Sequence, residues 1–402
     1  MSIDVARAVA DTVLYEGYVL YPYRASAQKN RSRWQFGVLM PPDFAAADPS
    51  ETSGARAEVV AAVANAFTVR VALRFLQVQR RSVHAVRAGA IPVTEWDEAV
   101  EHELTYLLDR ARPRHDVRIP GGVERETRYD NGAVVAEVVR ERLPLSATLT
   151  LTAEDLPGTP RAVRLRARVD NHTDSGTPAG ARTDALPAAL VAAHLILAIE
   201  GGAFVSMVDP PQWAAEAVAG CGSSGLWPVL AGPPGRADVM LAAPIILYDH
   251  PEVAPESPAD LYDATEIDEI LLLRTRALTD AEKREARATD PRAAAVLDRA
   301  DALDGPTLAR LHGTLREAAP LAVTVDGRRV ARGATVVLRP GTRRADAQDM
   351  FLVGRTALVE DVLFDVDDRP YLAVTLTDDP GADVMRGHGR FLYFAPDEVE
   401  PA

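Results

Sequence analysis

Two stretches of the 402-residue chain gather the side chains most able to do chemistry. One is Tyr248-Asp249-His250-Pro251-Glu252, which runs on through Pro255 to Glu256. An imidazole beside carboxylates is a donor set for divalent metals and a pair for proton exchange. His250 and Glu252 are two possible metal ligands, where a closed site needs about three or four. The same residues also read as a stiff, solvated loop whose acids cap the helix that follows. The other stretch is Tyr21-Pro22-Tyr23-Arg24 with Lys29, Asn30, Arg31, Arg33, Trp34 and Phe36. Arg, Tyr and Trp are frequent anchors of recognition surfaces, and the local positive charge would also hold an anion. The competing reading is a hairpin whose aromatics pack inward.

Other reactive groups carry less. Cys221 is the only cysteine. It is a nucleophile only with an imidazole beside it, and an inert thiol is the simpler reading. Glu98 and His102 stand one helical turn apart, as metal pairs can, in the acidic run Asp97, Glu98, Glu101, His102, Glu103; the two-histidine spacing of zinc proteases is missing, and a solvated helix face is the better reading. Neither Gly201-Gly202 nor the glycines around Cys221 have the spacing of a dinucleotide fingerprint or a phosphate loop. No Gly-x-Ser-x-Gly elbow is present. No catalytic residue and no cofactor are expected from these patterns.

The elements that would position these groups can be read from periodicity. Residues 12–24 are aromatic and β-branched, which predicts a strand, and 33–39 a returning strand. Residues 56–85 predict two or three strands, and 95–110 a short helix with Val100, Leu104, Leu107 and Leu108 on one side. Asn131-Gly132 predicts a hairpin, because both central residues of such a turn need positive φ. Residues 146–152 and 163–169 alternate as strands do. Regular short strands with turn punctuation predict an antiparallel β sandwich or barrel over 1–175.

The character then changes. Residues 184–200 are small and aliphatic and predict a helix, followed by buried strands at 203–208 and 239–247 and a helix after Pro211. Thr265 and Thr279, each with a carboxylate nearby, and Asp290-Pro291 mark helix starts. A central α/β and helical domain is expected over 184–316. Asp326-Gly327 predicts another hairpin, and four or five short strands predict a small SH3-like β barrel over 320–402. The whole is an α+β multi-domain chain.

Composition narrows the function classes. The formal net charge is −14, from 44 basic and 58 acidic side chains, which disfavours nucleic acid and anionic lipid as partners. A single thiol makes no internal disulfide and fits a reducing cytoplasm. The most apolar stretch, 186–207, is broken by His194, Glu200 and two glycines, so no membrane insertion is expected.

Three strings together carry a resemblance: residues 14–26 with Arg33-Trp34-Gln35-Phe36-Gly37-Val38, residues 244–258 running on to Ile270, and the C-terminal Phe391-Leu392-Tyr393-Phe394-Ala395-Pro396-Asp397-Glu398. They resemble a bacterial family encoded beside NiFe-hydrogenase structural and maturation genes. The resemblance extends along nearly the whole chain. It implies an accessory protein of hydrogenase biogenesis, with a hydrogenase subunit or maturation factor as partner, and brings no catalytic residue with it. Partner contact would then fall on Tyr21, Tyr23, Arg24, Lys29, Arg31, Arg33 and Trp34, and on Tyr248, Asp249, His250, Glu252 and Glu256. The alternative expectation is a metal-handling protein or metalloenzyme using the 249–256 loop.

Overall fold

The structure is a computed structural model that describes residues 2–86, 95–158, 161–176, 180–253, 261–262, 268–302, 322–340, 352–364, 370–379 and 391–401. The chain divides into two compact units, Met1–His312 and Gly313–Ala402.

The first unit opens with helix α1 (Ser2–Tyr15) and a short helix α2 (Pro42–Ala47). Seven strands follow: β1 (Gly54–Ala85), β2 (Trp96–Leu107), β3 (Arg114–Ile119), β4 (Gly122–Asp130), β5 (Ala133–Arg142), β6 (Leu145–Leu156) and β7 (Ala162–Asn171). A turn of helix α3 (Arg182–Ala185) precedes β8 (Val191–Phe204). Then come α4 (Ala215–Ala219), β9 (Trp227–Leu230), β10 (Val239–Ala243), α5 (Asp268–Arg276), α6 (Asp280–Thr289) and α7 (Pro291–Ala302).

The ten strands form one antiparallel sheet organised by β1, whose 32 residues pair with four partners. Its first part pairs with β7, from Gly54↔Asp170 to Ala62↔Ala162. Its middle pairs with β8 up to Leu76↔Val191, and with β2 from Arg70↔Leu107 to Arg81↔Trp96. Its end pairs with β5. The ladder with β8 is interrupted between Val63 and Thr68. The inward set nevertheless stays on odd numbers, Val59, Ala61 and Val63 before and Val69, Val71, Leu73 and Phe75 after, so one face of β1 serves one core throughout. That core also takes Leu149, Leu165, Leu195, Leu197 and Met240 from four neighbouring strands.

The opposite face of the sheet is covered by helices. Ala6, Val9, Ala10 and Val13 form the apolar stripe of α1 and pack with Ala72, Ile196 and Leu241. Leu76 and Val78 meet Leu271, Leu272, Ala286, Val296 and Leu297 of α5, α6 and α7 together with the aromatics of residues 15–34. The domain expected over 184–316 therefore does not stand apart from 1–175: β8 hydrogen-bonds along β1, and residues up to His312 belong to the same compact unit as 1–175.

Several local expectations are corrected. Residues 12–24 are no strand: α1 continues to Tyr15, and Gly17 at φ +73° ends it in the left-handed conformation usual after a helix. Residues 33–39 form no strand beyond two isolated bridges of Leu39, to Leu190 and to Thr52. Residues 56–85 lie within one strand instead of two or three. The helix expected at 95–110 is β2, and that expected at 184–200 is mostly β8. β8 is buried on both faces over most of its length and shows no alternation, so its apolar run cannot be told from a buried helix by pattern alone, whereas β2 pairs only with β1 among the described residues and alternates half-buried and exposed residues. The hairpin at Asn131-Gly132, the capping box of Thr279 with Glu282 and the start of α7 at Pro291 all stand as expected. Thr265 lies outside the described residues.

The second unit holds β11 (Ala322–Val325), β12 (Arg328–Ala331), β13 (Thr335–Leu338), β14 (Thr356–Phe364), β15 (Pro370–Leu376), β16 (Leu392–Phe394) and β17 (Val399–Pro401). Asp326 and Gly327, at φ +46° and +76°, turn β11 into β12 as the Asp-Gly signal predicts. The other five form a sheet in the order β16-β15-β14-β13-β17. Val323, Val336, Val359, Val374 and Phe394 make its core. No sheet closes among the described residues, so a mostly-β unit is shown and an SH3-like barrel is not.

Candidate functional site

The aromatic-basic stretch after α1 folds inward. Tyr23 at φ +62° and Trp34 at φ +56° sit in the left-handed region, which bulky residues adopt only when surrounding packing holds them there. Tyr18 and Tyr23 are fully buried, and Trp34 is 2% exposed. Tyr15, Tyr18 and Tyr262 make edge-to-face contacts with centroids 5.6–6.4 Å apart. The Tyr18 hydroxyl donates to Asp290 Oδ2 at 2.7 Å, and the amide of Arg292 donates to Asp290 Oδ1 at 2.8 Å, so one carboxylate joins the aromatic cluster to the start of α7. Burial, reinforced by the Asp290 carboxylate, pushes the Tyr18 phenol far up.

Arg33 is the centre of this arrangement. Its guanidinium lies 3.5 Å from the ring centroid of Trp96 and 4.3 Å from that of Trp34. It donates to the carbonyls of Tyr18 and Asp97, each at 2.8 Å. Burial pulls it down to about 10, partly offset by Tyr18, Asp97 and Asp290. The indole N–H groups of Trp34 and Trp96 are buried and have no acceptor among the described residues. Each unmade bond costs about 1–3 kcal/mol.

Beside this cluster opens a cleft of about 800 Å³, the size of many ligand sites. Residues 25–35, the end of β1, the start of β2, β5 and α3 line it, through Arg33, Trp34, Trp96 and three further arginines. Each of those arginines is committed to a neighbour. Arg80 lies 3.2 Å from Asp97, and Arg81 lies 3.0 Å from Glu98 while donating to the Thr289 carbonyl at 2.7 Å. Arg182 binds Glu51 at 2.6 Å and the Trp34 carbonyl at 3.0 Å. Glu95, Glu141 and Asp184 also line the cleft, are exposed, and have no ion pair or side-chain hydrogen bond among the described residues. The arginines of the cleft are thus engaged in fixing its walls, and its lining balances four arginines against four carboxylates, Glu95, Asp97, Glu141 and Asp184.

The remaining residues of that stretch lie elsewhere. Arg24 pairs with Glu282 at 3.2 Å, and the Tyr23 hydroxyl donates to the Leu261 carbonyl at 3.3 Å. Lys29 is exposed, and the Arg31 side chain lies outside those described. Tyr21 packs edge-to-face on Tyr23.

The second stretch does not join the cleft: none of Tyr248, Asp249, His250 or Glu252 lines it. Tyr248 is 85% exposed. Asp249 accepts from the Ser206 hydroxyl and from the Leu230 amide, and His250, at φ +55°, places Nδ1 3.1 Å from the Gly232 carbonyl. Both side chains act locally to pin a turn against β9. Glu252 is exposed, and Glu256 lies outside the described residues. Among the described residues no group of three or more His, Cys, Asp and Glu is placed to hold a metal.

Glu98 and His102 sit on a strand instead of a helix, roughly 13 Å apart at ~3.3 Å per residue. Glu98 is taken by Arg81, Arg140 and Gln79, and His102 by Gln77. Burial pushes the Cys221 thiol up, away from the reactive thiolate. Trp96 and Arg182 complete the aromatic cluster and cleft but carried no signal in the sequence, and Asp97 and Asp290 were read there only as part of an acidic run and as a helix start, because only long-range pairing brings all four to residues 18–34.

No model of a known protein family matches the chain, and no curated protein matches it. Among the described residues no helix is long and apolar enough to cross a membrane.

Proposed function

We propose that this chain is a non-catalytic accessory protein that recognises a partner protein through the cleft beside Arg33, Trp34 and Trp96. The observation behind this reading is the state of the cleft's polar groups. Its arginines are locked in place by carboxylates and carbonyls, which gives a rigid, shaped wall and leaves them poorly suited to proton transfer. A pre-formed wall lowers the ordering cost of association. From the family resemblance, the partner is a hydrogenase subunit or maturation factor of the NiFe type, and the setting is the cytoplasm.

The test is co-purification of the tagged full-length chain from a hydrogenase-producing bacterium, with hydrogenase activity measured in a deletion strain. A hydrogenase subunit or maturation factor should elute with the chain, and deletion should lower activity. A chain that elutes alone, from a strain whose deletion mutant keeps normal hydrogenase activity, would overturn the reading.

A further inference from the structure

The sheet face formed by β3, β6, β7 and the start of β1 shares no residue with the cleft. Alternation divides these strands cleanly. Val117, Leu149, Leu151, Leu165 and Val169 belong to the core. The residues between them point the other way, and six are arginines: Arg114 and Arg118 on β3, Arg164, Arg166 and Arg168 on β7, and Arg56 on β1. Thr148, Thr150 and Thr152 run between the two flanks along β6. Four acids share the face, Glu58, Asp116, Glu154 and Asp170. Six cations against four anions leave it net positive, in a chain whose net charge is −14.

The register fixes the order of these groups. One row across the four strands reads Arg114, Thr150, Arg168, Arg56. It holds three guanidiniums and no acid. Like charges directly opposite, as Arg168 and Arg56 are, destabilise a sheet. Neighbouring acids offset this in part. Asp170 lies 2.8 Å from Arg168, and the buried Glu58 is shared by Arg166 at 2.6 Å and Arg56 at 3.7 Å. Arg114 and Arg118 are exposed, have no ion pair among the described residues, and reach hydroxyls instead, Thr148 at 3.3 Å and Ser146 at 2.8 Å. Folding gains nothing from this repulsion, whereas an anion laid across the row gains from it.

Two features select the anion. The strands of this face, with residues 54–62 of β1, contain no Phe, Tyr or Trp on which a base could stack. Guanidinium forks match carboxylates, as Arg168 already shows by donating through Nε and Nη2 to Asp170. Size argues the same way. Four strands at ~4.8 Å spacing make a face about 15 Å wide. A long polyanion would overrun it into the net-negative remainder of the chain, and a short segment would not.

We propose that this face docks a short Asp- or Glu-bearing segment of a partner protein. Arg114, Arg118 and the Arg168–Arg56 row take its carboxylates, and the threonines of β6 face its main chain. This goes beyond the accessory reading by adding a second contact surface in which the cleft has no part.

The experiment uses the full chain and a fluorescein-labelled oligoglutamate peptide, with binding followed by anisotropy. Oligoglutamate should bind saturably, and more weakly as salt is raised. Oligothymidylate of equal length should bind less tightly. Combining Arg114→Gln, Arg118→Gln and Arg168→Gln should weaken oligoglutamate binding about tenfold or more. The same charge change at Arg276→Gln, Arg284→Gln and Arg329→Gln should leave it within about twofold. All six arginines are exposed, and urea midpoints check that both variants remain folded. Asp116→Asn with Glu154→Gln strips acids from the face and should tighten binding about twofold more than Asp130→Asn with Glu252→Gln does. If the first arginine variant unfolds, the two acid pairs decide alone, and equal affinities reject the proposal. No saturable binding to the parent chain, equal losses in the two arginine variants, or tighter binding of oligothymidylate would each overturn it. These outcomes leave the accessory reading standing, since co-purification tests that separately. A chain that binds oligoglutamate here but elutes without a hydrogenase subunit keeps this surface and loses that reading.

Discussion

Arg33 and Arg74 are both nearly sealed from water, at 8% and 1% exposure, and they are held by opposite means. Arg74, on β1, faces three carboxylates. It bonds to Asp11 on α1 and Glu101 on β2 at 2.5 and 2.7 Å, and its Nε lies 3.1 Å from Glu103 without a well-aligned hydrogen bond. Among the described residues Arg33 has no ion pair, and it is held by ring faces and backbone carbonyls. Counter-charges answer the cost of burying Arg74, whereas Arg33 relies on dispersion, the ring quadrupoles and two hydrogen bonds. The first arrangement fastens α1 to the sheet. The second stiffens the wall of a cleft without occupying the acids on its rim.

The comparison can be broken most sharply at Arg74. Arg74→Met leaves Asp11 and Glu101 without their cation and Glu103 with Arg7 alone, and a loss of about 3 kcal/mol in urea unfolding is expected. A loss below about 1 kcal/mol would show that the partly exposed acids relax into solvent.

His194 sharpens the same point. It stands opposite Arg74 in the ladder and is fully buried, with Nδ1 2.8 Å from the Ala192 carbonyl. Burial, with Arg74 adding to it, pulls His194 down to about 4 from the ordinary 6.5. Between those values the unfolded chain binds the proton and the folded chain does not, so stability falls as pH drops from 6.5 towards 4. The gap corresponds to about 3 kcal/mol at most. His194→Asn keeps a donor for the carbonyl and should flatten this acid limb. Urea midpoints measured across the window test it, and an unchanged slope would assign the acid sensitivity elsewhere.

At Arg33 a smaller effect is expected. Arg33→Lys keeps the charge but loses the planar stack and one of the two carbonyl bonds, for about 1–2 kcal/mol and a shift in tryptophan emission. Smaller still, Tyr248→Ala removes a side chain that is 85% exposed and should change stability by less than about 0.5 kcal/mol. A larger loss would mean that the 248–252 turn contributes more to β9 than its contacts suggest.

What could be read from the sequence divides along the same line. Signals that act within a few residues held: Asn131-Gly132, Asp326-Gly327, Thr279 with Glu282, and Pro291 after Asp290. Each closes its own hydrogen bonds locally, so the pattern and the structure are one event. β2 and β8 misled because pairing with β1 decides them, and their apolar spacing admits either period. The stretch around Arg33 and Trp34 was conspicuous as basic and aromatic. Its meaning changed because the groups that hold it arrive from distant elements: Trp96 and the Asp97 carbonyl at Arg33, Glu282 at Arg24, and Asp290 at Tyr18. The acids that remain unpaired are defined only by subtraction, and no reading of sequence alone performs that subtraction.

The long strand β1 has a consequence for how the molecule is made. Its first edge waits for Ala162–Asn171, and its middle for Val191–Phe204, which in turn is covered by β10. On the ribosome β1 emerges well before these mates exist, a β-branched ribbon with open flanks. Non-local pairing of this kind folds slowly and is exposed to misassociation until the later segments arrive. A truncated product ending before Val239 would therefore be the species most in need of chaperones, and protease resistance should appear late, in a single step, once β10 has docked.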